Sequence, residues 1–217
     1  MDSFDFKHTG LFTGMSEAEI ASALAALSAE EKRYKKGQAI LHAGEMTERL
    51  GLVLAGSATV ESNDAWGNRT ILSHVGKGQI FAETYSLLDH EPLLVDVMAN
   101  EDSRVLFLCV REIRGPASLS APWAFKLAGN LLAISADKNL HLAQRSFHTA
   151  PKTVRGRVMA YLNTVSLQAQ SREFEIPFDR QQLADYLNLD RTALSKELGK
   201  MQADGLIETK KSHFIIC

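Results

Sequence analysis

Arg191, Thr192, Ser195 and Lys196 lie within six residues of one another, and each can donate a hydrogen bond. At spacings of one, three and one they share a face of a helix's opening turns. Such a face suits the major groove of B-DNA, where Arg and Lys reach guanine O6 and N7. Lys210 and Lys211, just past Gly205, are placed to meet phosphates. Elsewhere the arrangements that carry catalysis are missing. The chain has no Gly-rich phosphate loop, Gly-x-Ser-x-Gly, His-Glu-x-x-His or His-x-His. No catalytic or metal-ligating residue is therefore assigned, and an enzyme is not expected. A cupin-like enzyme, the catalytic alternative, needs the His-x-His pair. Cys109 and Cys217 are too few for a disulfide framework, or for an iron–sulfur cluster with its four thiolates.

The donor face needs elements to hold it out. Asp179 and Gln182 have capping-box spacing and open a helix through Leu187. Asn188-Leu189 can turn, because Asn tolerates a positive φ. Asp190 caps a second helix, 191–203, and Gly205 stops it. Leu183, Leu187, Leu189, Leu194 and Leu198 can fill the space between the two helices, and the small Ala184 lets them approach. Residues 206–209 and 213–216 read as a β-hairpin with Lys210 and Lys211 at its tip. Capped helix, turn, capped helix and basic hairpin make a winged helix-turn-helix. Thr153 is the expected N-cap of a helix preceding it, and 174–177 a short strand.

Charge agrees with this in direction only. Residues 150–217 hold ten basic against eight acidic side chains, within a chain of net charge −2. The 217 residues are 45% hydrophobic and 23% charged, the make-up of a globular protein of one large or two small domains. No apolar run approaches the roughly 18 residues of a membrane span. The start, Met1-Asp2-Ser3-Phe4-Asp5, lacks the basic and apolar regions of a signal peptide. A cytoplasmic protein without membrane contact is expected.

Upstream the pattern changes twice. Ser16 and Glu19 cap a short helix carrying Ile20, Leu24 and Leu27. From residue 37 to 110 short runs (38–42, 50–54, 57–61, 70–75, 93–98 and 104–110) alternate with turns, among them 63–68. Such spacing suggests a β-sandwich or barrel. Residues 121–148 then read as one long helix with two apolar stripes. Leu127, Leu131 and Ile134 form one stripe, and Leu132, Ala136, Leu140, Ala143 and Phe147 an adjacent one. One stripe should pack on its own domain and the other on a second copy of the chain.

The chain resembles the cyclic-AMP receptor protein / fumarate-nitrate regulator (CRP/FNR) family of bacterial transcription factors over nearly its whole length. The resemblance rests on Arg180-Gln181-Gln182-Leu183-Ala184-Asp185-Tyr186-Leu187 and Asp190-Arg191-Thr192-Ala193-Leu194-Ser195-Lys196-Glu197-Leu198. It also rests on Gly78-Gln79-Ile80-Phe81-Ala82-Glu83, similar to the family's effector-pocket segment. It implies an α+β protein in three parts. These are a double-stranded β-helix (jelly-roll) sensor over 1–120, a dimerisation helix over 121–149, and a winged helix-turn-helix over 150–217. Leu127, Leu131 and Ile134 are assigned to the dimer helix. The implied protein is a homodimer on a palindromic operator, working with RNA polymerase under an allosteric effector.

Carried over by position, the family's base-reading Glu, Ser or Gly, and Arg fall on Thr192, Ser195 and Lys196. Arg191 matches an Arg that contacts bases in some members, and Arg180 is counted with the DNA-binding residues. Losing the Glu removes an acceptor suited to cytosine N4, so the usual half-sites are not expected. Glu197 stands where helix-turn-helix proteins more often have an apolar residue. In the sensor, Glu83, Thr84, Tyr85, Leu93 and Leu94 are the candidate effector pocket. The Arg-Ser pair that holds a cyclic phosphate falls on Leu93 and Leu94, and the adenine-contacting Thr-Ser pair on Leu142-Ala143. Burying an unpaired phosphate against leucine costs several kcal/mol, so cyclic AMP is not the expected effector. A regulatory subunit that binds a cyclic nucleotide without a DNA role is the other alternative. Haem stays open. His42, His74, His90 and Cys109 are donors in or near the strands, but they show no ligand spacing. The effector is therefore unassigned.

Overall fold

The computed structural model describes residues 4–63, 69–88, 90–115, 118 and 121–217. The turn expected at 63–68 lies outside them from residue 64 on. The chain divides into two compact units, 1–136 and 137–217.

The first unit opens with two 3₁₀ turns and α1 (Glu17–Ala26). The Ser16–Glu19 capping box forms as expected: the Ser16 hydroxyl accepts from the Glu19 amide, and the Glu19 carboxylate accepts from the Ser16 amide. Eight strands follow: β1 (Glu30–Tyr34), β2 (Ala39–Leu41), β3 (Leu50–Ala55), β4 (Ala58–Asn63), β5 (Arg69–Val75), β6 (Ile80–Phe81), β7 (Asp96–Ala99) and β8 (Ser103–Leu108). The short α2 (Glu83–Leu87) sits between β6 and β7. The strands make two four-stranded antiparallel sheets, ordered β1-β8-β3-β6 and β2-β7-β4-β5. Apart from β4 and β5, which pair as a hairpin, consecutive strands fall in different sheets, the jelly-roll plan.

Val53, Phe81, Val105 and Phe107 from one sheet meet Ile40, Ala58, Val75, Val97 and Ala99 from the other. The outer face of the β1-β8-β3-β6 sheet is also covered. Leu50, Leu52, Leu54, Leu106 and Leu108 pack on Leu11, Phe12, Ile20, Ala23 and Leu27, and on Trp123, Leu127 and Leu131 of the long helix. A sheet buried on both faces reads as a continuous apolar run, which is what Leu50 to Leu54 shows. Gly51 pairs across the sheet with Phe81, and a Cβ there would collide with the tip of the Phe81 ring.

α3 (Pro122–Thr149) is one helix of 28 residues. The stripe assigned to the dimer turns out to pack inward. Leu127 and Leu131 are buried in the first unit's core, and Ile134 packs against it. The apolar residues left exposed are Phe125 at 87%, Leu132 at 71%, Leu140 at 56% and Phe147 at 73%, together with Leu142. Spacing identifies two stripes but does not say which one the neighbouring sheet covers.

In the second unit, α4 (Val154–Ala169) precedes β9 (Glu173–Glu175), α5 (Arg180–Tyr186), α6 (Arg191–Ala203), β10 (Ile207–Lys210) and β11 (His213–Ile216). β9 joins the hairpin as its third strand, in the order β10-β11-β9. The core is small: Val158, Tyr161, Leu162, Phe174, Ile176, Leu183, Leu187, Leu194, Leu198, Met201, Ile207 and Phe214, with Ala184 between the helices.

Candidate nucleic-acid interface

Local chemistry builds the helix pair as the sequence suggests. Asp179 accepts from the Gln182 amide at 2.8 Å, and Gln182 returns a bond to the Asp179 amide at 2.9 Å. α5 ends at Leu187. Asn188 takes φ 54°, and Asp190 accepts from the Ala193 amide at 2.9 Å to start α6. Gly205 at φ 70° ends the chain's last helix. Leu194, Leu198 and Met201 anchor one side of α6 in the core. Arg191, Thr192, Ser195 and Lys196 are all exposed on the other side.

The wing turn adds Lys210 and Lys211, both exposed, with Lys211 at φ 55°. A groove of about 830 Å³ runs between the head of α5, the start of α6 and this turn. Arg180, Gln181, Arg191, Lys211 and Ser212 line it. Three of the assigned cations thus share one concave surface, suited to an anionic backbone. Arg180 is the most constrained of the seven residues. Its Nη2 donates to Thr209 Oγ1 at 2.8 Å, and its guanidinium lies 5.1 Å from the Phe214 ring centroid. Burial holds its pKa below the usual arginine value. It ties α5 to the wing while lining the groove.

Two further arginines, which sequence reading passed over, grip the helix pair from behind. Arg157 donates to the carbonyls of Pro151 at 2.9 Å, Leu187 at 3.3 Å and Asn188 at 2.9 Å, holding the turn between α5 and α6. Arg155 donates from Nε to Glu197 Oε1 at 2.6 Å and pairs through Nη1 with Asp204 Oδ2 at 2.7 Å. The signal for this pair was Glu197 itself, an acid at a position that packing would fill with an apolar side chain.

A polar joint connects the last turn of α3 to the same unit. His148 is 3% exposed. Thr164 Oγ1 donates to the Ala160 carbonyl at 3.0 Å, so it accepts from His148 Nε2 at 2.9 Å. That leaves Nδ1 to accept from the Tyr186 hydroxyl at 2.9 Å. The ring is therefore satisfied in its neutral form, and burial pushes its pKa down.

In the sensor unit the five assigned pocket residues split. Glu83, the first residue of α2, is buried behind Ala82 at φ 60°. Leu93 is buried too, its backbone bonded to Gly44 and Glu45 at 2.7 and 2.8 Å. Tyr85 is half-buried, and its hydroxyl accepts from the Leu94 amide at 3.4 Å. Thr84 and the Leu94 side chain face outward. His42, His74 and His90 are exposed and Cys109 is half-buried. Among the described residues, no group of three or more His, Cys, Asp or Glu could hold a metal ion, and no helix is long and apolar enough to cross a membrane.

A capped helix pair with an exposed donor face and a basic wing, preceded by a jelly roll and a long helix, defines a winged-helix DNA-binding protein with an N-terminal jelly-roll domain. Comparison with known proteins agrees. The cyclic nucleotide-binding domain model matches residues 31–114, and the Crp-like helix-turn-helix domain model matches residues 156–217. The chain is 26% identical over 201 residues to the cyclic AMP receptor protein of Thermus thermophilus, covering 93% of this chain and 89% of that one. In fold it is similar to the catabolite activator protein of Thermus thermophilus, with TM-score 0.52, 24% identity, and 96% and 94% of the two chains covered. The c-di-GMP-responsive global regulator CLP of Xanthomonas campestris matches with TM-score 0.61 and 17% identity, over 93% of this chain and 99% of that one. The chain belongs to the CRP/FNR family of DNA-binding transcription regulators.

Proposed function

We propose that the protein acts as a homodimer on a two-fold symmetric operator, with α6 of each copy reading one half-site. Arg191, Thr192, Ser195 and Lys196 supply the base contacts, and Arg180, Lys210 and Lys211 hold the phosphates. The observation that carries this reading is the two-sided build of α6: an apolar side fixed in the core, and an opposite side whose opening turns expose Arg191, Thr192, Ser195 and Lys196. Pairing is assigned to α3. Phe125, Leu132, Leu140 and Phe147 recur at intervals of seven or eight residues, and a second copy of the same helix is the cover that a symmetric dimer supplies.

The effector in this reading is a small molecule other than cyclic AMP. Leu93 and Leu94 replace the phosphate-holding pair, and Leu93 is closed in by its backbone partners. The ligand acts only through unequal affinity for the DNA-competent and incompetent states. RNA polymerase is the second macromolecular partner that the reading implies, and the cytoplasm its place of work.

The test starts with selection of bound sequences from random duplex DNA. A symmetric site is expected, bound by a dimer in native mass spectrometry. Replacing Arg191 and Lys196 together by Ala should lower affinity for that site about thirtyfold or more while the dimer persists, since each good base contact contributes about 1–3 kcal/mol. Site-specific binding that survives the double change refutes this surface. Calorimetry with cyclic AMP and with c-di-GMP tests the effector half, and micromolar cyclic AMP binding would overturn it.

A further inference from the structure

The geometry points to Arg155 as the residue that sets the pose of the DNA-reading helix, a role that rests on α6 being that helix. Its guanidinium grips α6 at two places. Glu197 lies in the helix body with its side chain only 17% exposed, and Asp204 is the C-cap. Glu197 and Asp204 are seven residues apart, about 10 Å of backbone rise along the axis, and their carboxylates converge on the one guanidinium. One contact would fix a distance. Two contacts to one rigid planar group fix the helix's rotation about its axis and its slide past α4.

The root of the clamp is itself held. Gly156, beside Arg155, donates to Thr153 Oγ1 at 3.0 Å, and a Cβ at Gly156 would meet Pro151 at 2.9 Å. Arg157, two residues on, holds the turn before α6. The first turn of α4 is thus a bracket touching α6 and its entry. Lys200 Nζ lies 3.9 Å from Glu197, too far and too mobile to replace the planar group. The apolar anchors Leu194, Leu198 and Met201 do not depend on the clamp, so removing it should loosen placement before it unfolds the helix. Base contacts lose strength steeply with misalignment, whereas phosphate contacts tolerate it. Arg155 is therefore a positioning residue, and its loss should show in discrimination between sequences.

The experiment compares the full-length protein with Arg155→Ala, Arg155→Lys and Glu197→Ala, on the selected site and on a scrambled duplex of equal length. Arg155→Ala is expected to lower specific affinity at least tenfold. Scrambled-DNA affinity and its salt slope should stay unchanged. Arg155→Lys, which keeps the charge and the fold but has only one head group, should fall between. The Arg155→Ala/Glu197→Ala pair should bind no worse than the weaker single variant, because both break the same contact. Equal loss on both duplexes, with the salt slope reduced by about one, would make Arg155 a direct phosphate contact and overturn the proposal. Unchanged discrimination in Arg155→Lys together with full additivity of the Ala pair would overturn it too. The Arg191→Ala/Lys196→Ala protein separates the two failures. If it still discriminates between the duplexes, the reading of α6 itself is wrong.

Discussion

The two units solve the same problem, fixing elements against one another, with different chemistry. The sensor unit does it with apolar area. Two sheets share a core of valines and phenylalanines, and one sheet is covered again by leucines from both ends of the unit. Arg49 pairs there with Glu30 and Arg111 with Glu48, each at 2.7 Å on exposed surface, while Arg104 meets Glu31 at 3.4 Å and Arg114 donates to the Leu87 carbonyl at 3.2 Å. The winged-helix unit has one small core cluster among the described residues and leaves one side of α6 exposed. There four arginines tie the elements around the helix pair: Arg145 to the carbonyls of Tyr186 and Asp185, Arg155 to α6, Arg157 to the turn, Arg180 to β10. A small domain buries a lower fraction of its surface, so precise placement falls to polar groups with fixed geometry.

The sharpest break of this contrast is expected in the apolar unit. Gly51→Ala drives a methyl group into the Phe81 ring and should destabilise residues 4–136 by about 3 kcal/mol. Hydrogen exchange read separately over the two units should show the loss in the first alone. The polar unit should respond to an arginine in a way the apolar unit does not. Arg157→Ala leaves three backbone carbonyls without their donor and should cost about 2 kcal/mol in residues 137–217. Arg49→Ala, the surface control, should change the first unit by no more than about 0.5 kcal/mol. Equal effects of the two would erase the distinction.

The smallest effect separates the units by pH. The folded pKa of His148 lies below its unfolded value near 6.5, so the unfolded chain binds the extra proton first. Its contribution is whole above pH 6.5 and is lost as pH falls from there toward the lower folded value. Protonated Nδ1 would also face the Tyr186 hydroxyl proton. Thermal unfolding of residues 137–217 should therefore shift down between pH 7 and pH 5, and His148→Gln should flatten that slope. The first unit answers to a different group. Lys126 and the Ser16 amide hold the Glu19 carboxyl down to about 2, so this cap and tether fail only well below pH 4.5.

Much of the winged helix was legible because its signals are local. Caps at Asp179 and Asp190, the turn at Asn188 and the leucine spacing each act within a few residues. β1 was not legible: Glu30-Glu31-Lys32-Arg33-Tyr34 carries no apolar alternation, and it becomes a strand only because β8 offers it an edge. The Arg155 clamp joins residues 42 and 49 positions apart, beyond any periodicity. The dimer assignment to Leu127, Leu131 and Ile134 met a similar limit. Both stripes of α3 are apolar, and only the sheet beneath decides which one is spent inside the unit. The pocket residues divide for a simpler reason. Leu93 is buried, whereas its neighbour Leu94 lies at a bend ahead of β7 and is exposed.

The strand order has a consequence for how the protein is made. β1 bonds to β8, pairing Glu30 with Phe107, and β3 bonds to the same strand, pairing Leu50 with Leu108. During synthesis the first strands therefore emerge without partners, and their leucines stay uncovered until β8 and then Trp123 and Leu127 leave the ribosome. The winged helix, made last and built from neighbours in sequence, has no such wait. The period of greatest exposure to aggregation therefore lasts until Leu127 has emerged, past the midpoint of the chain, and it falls on the jelly roll.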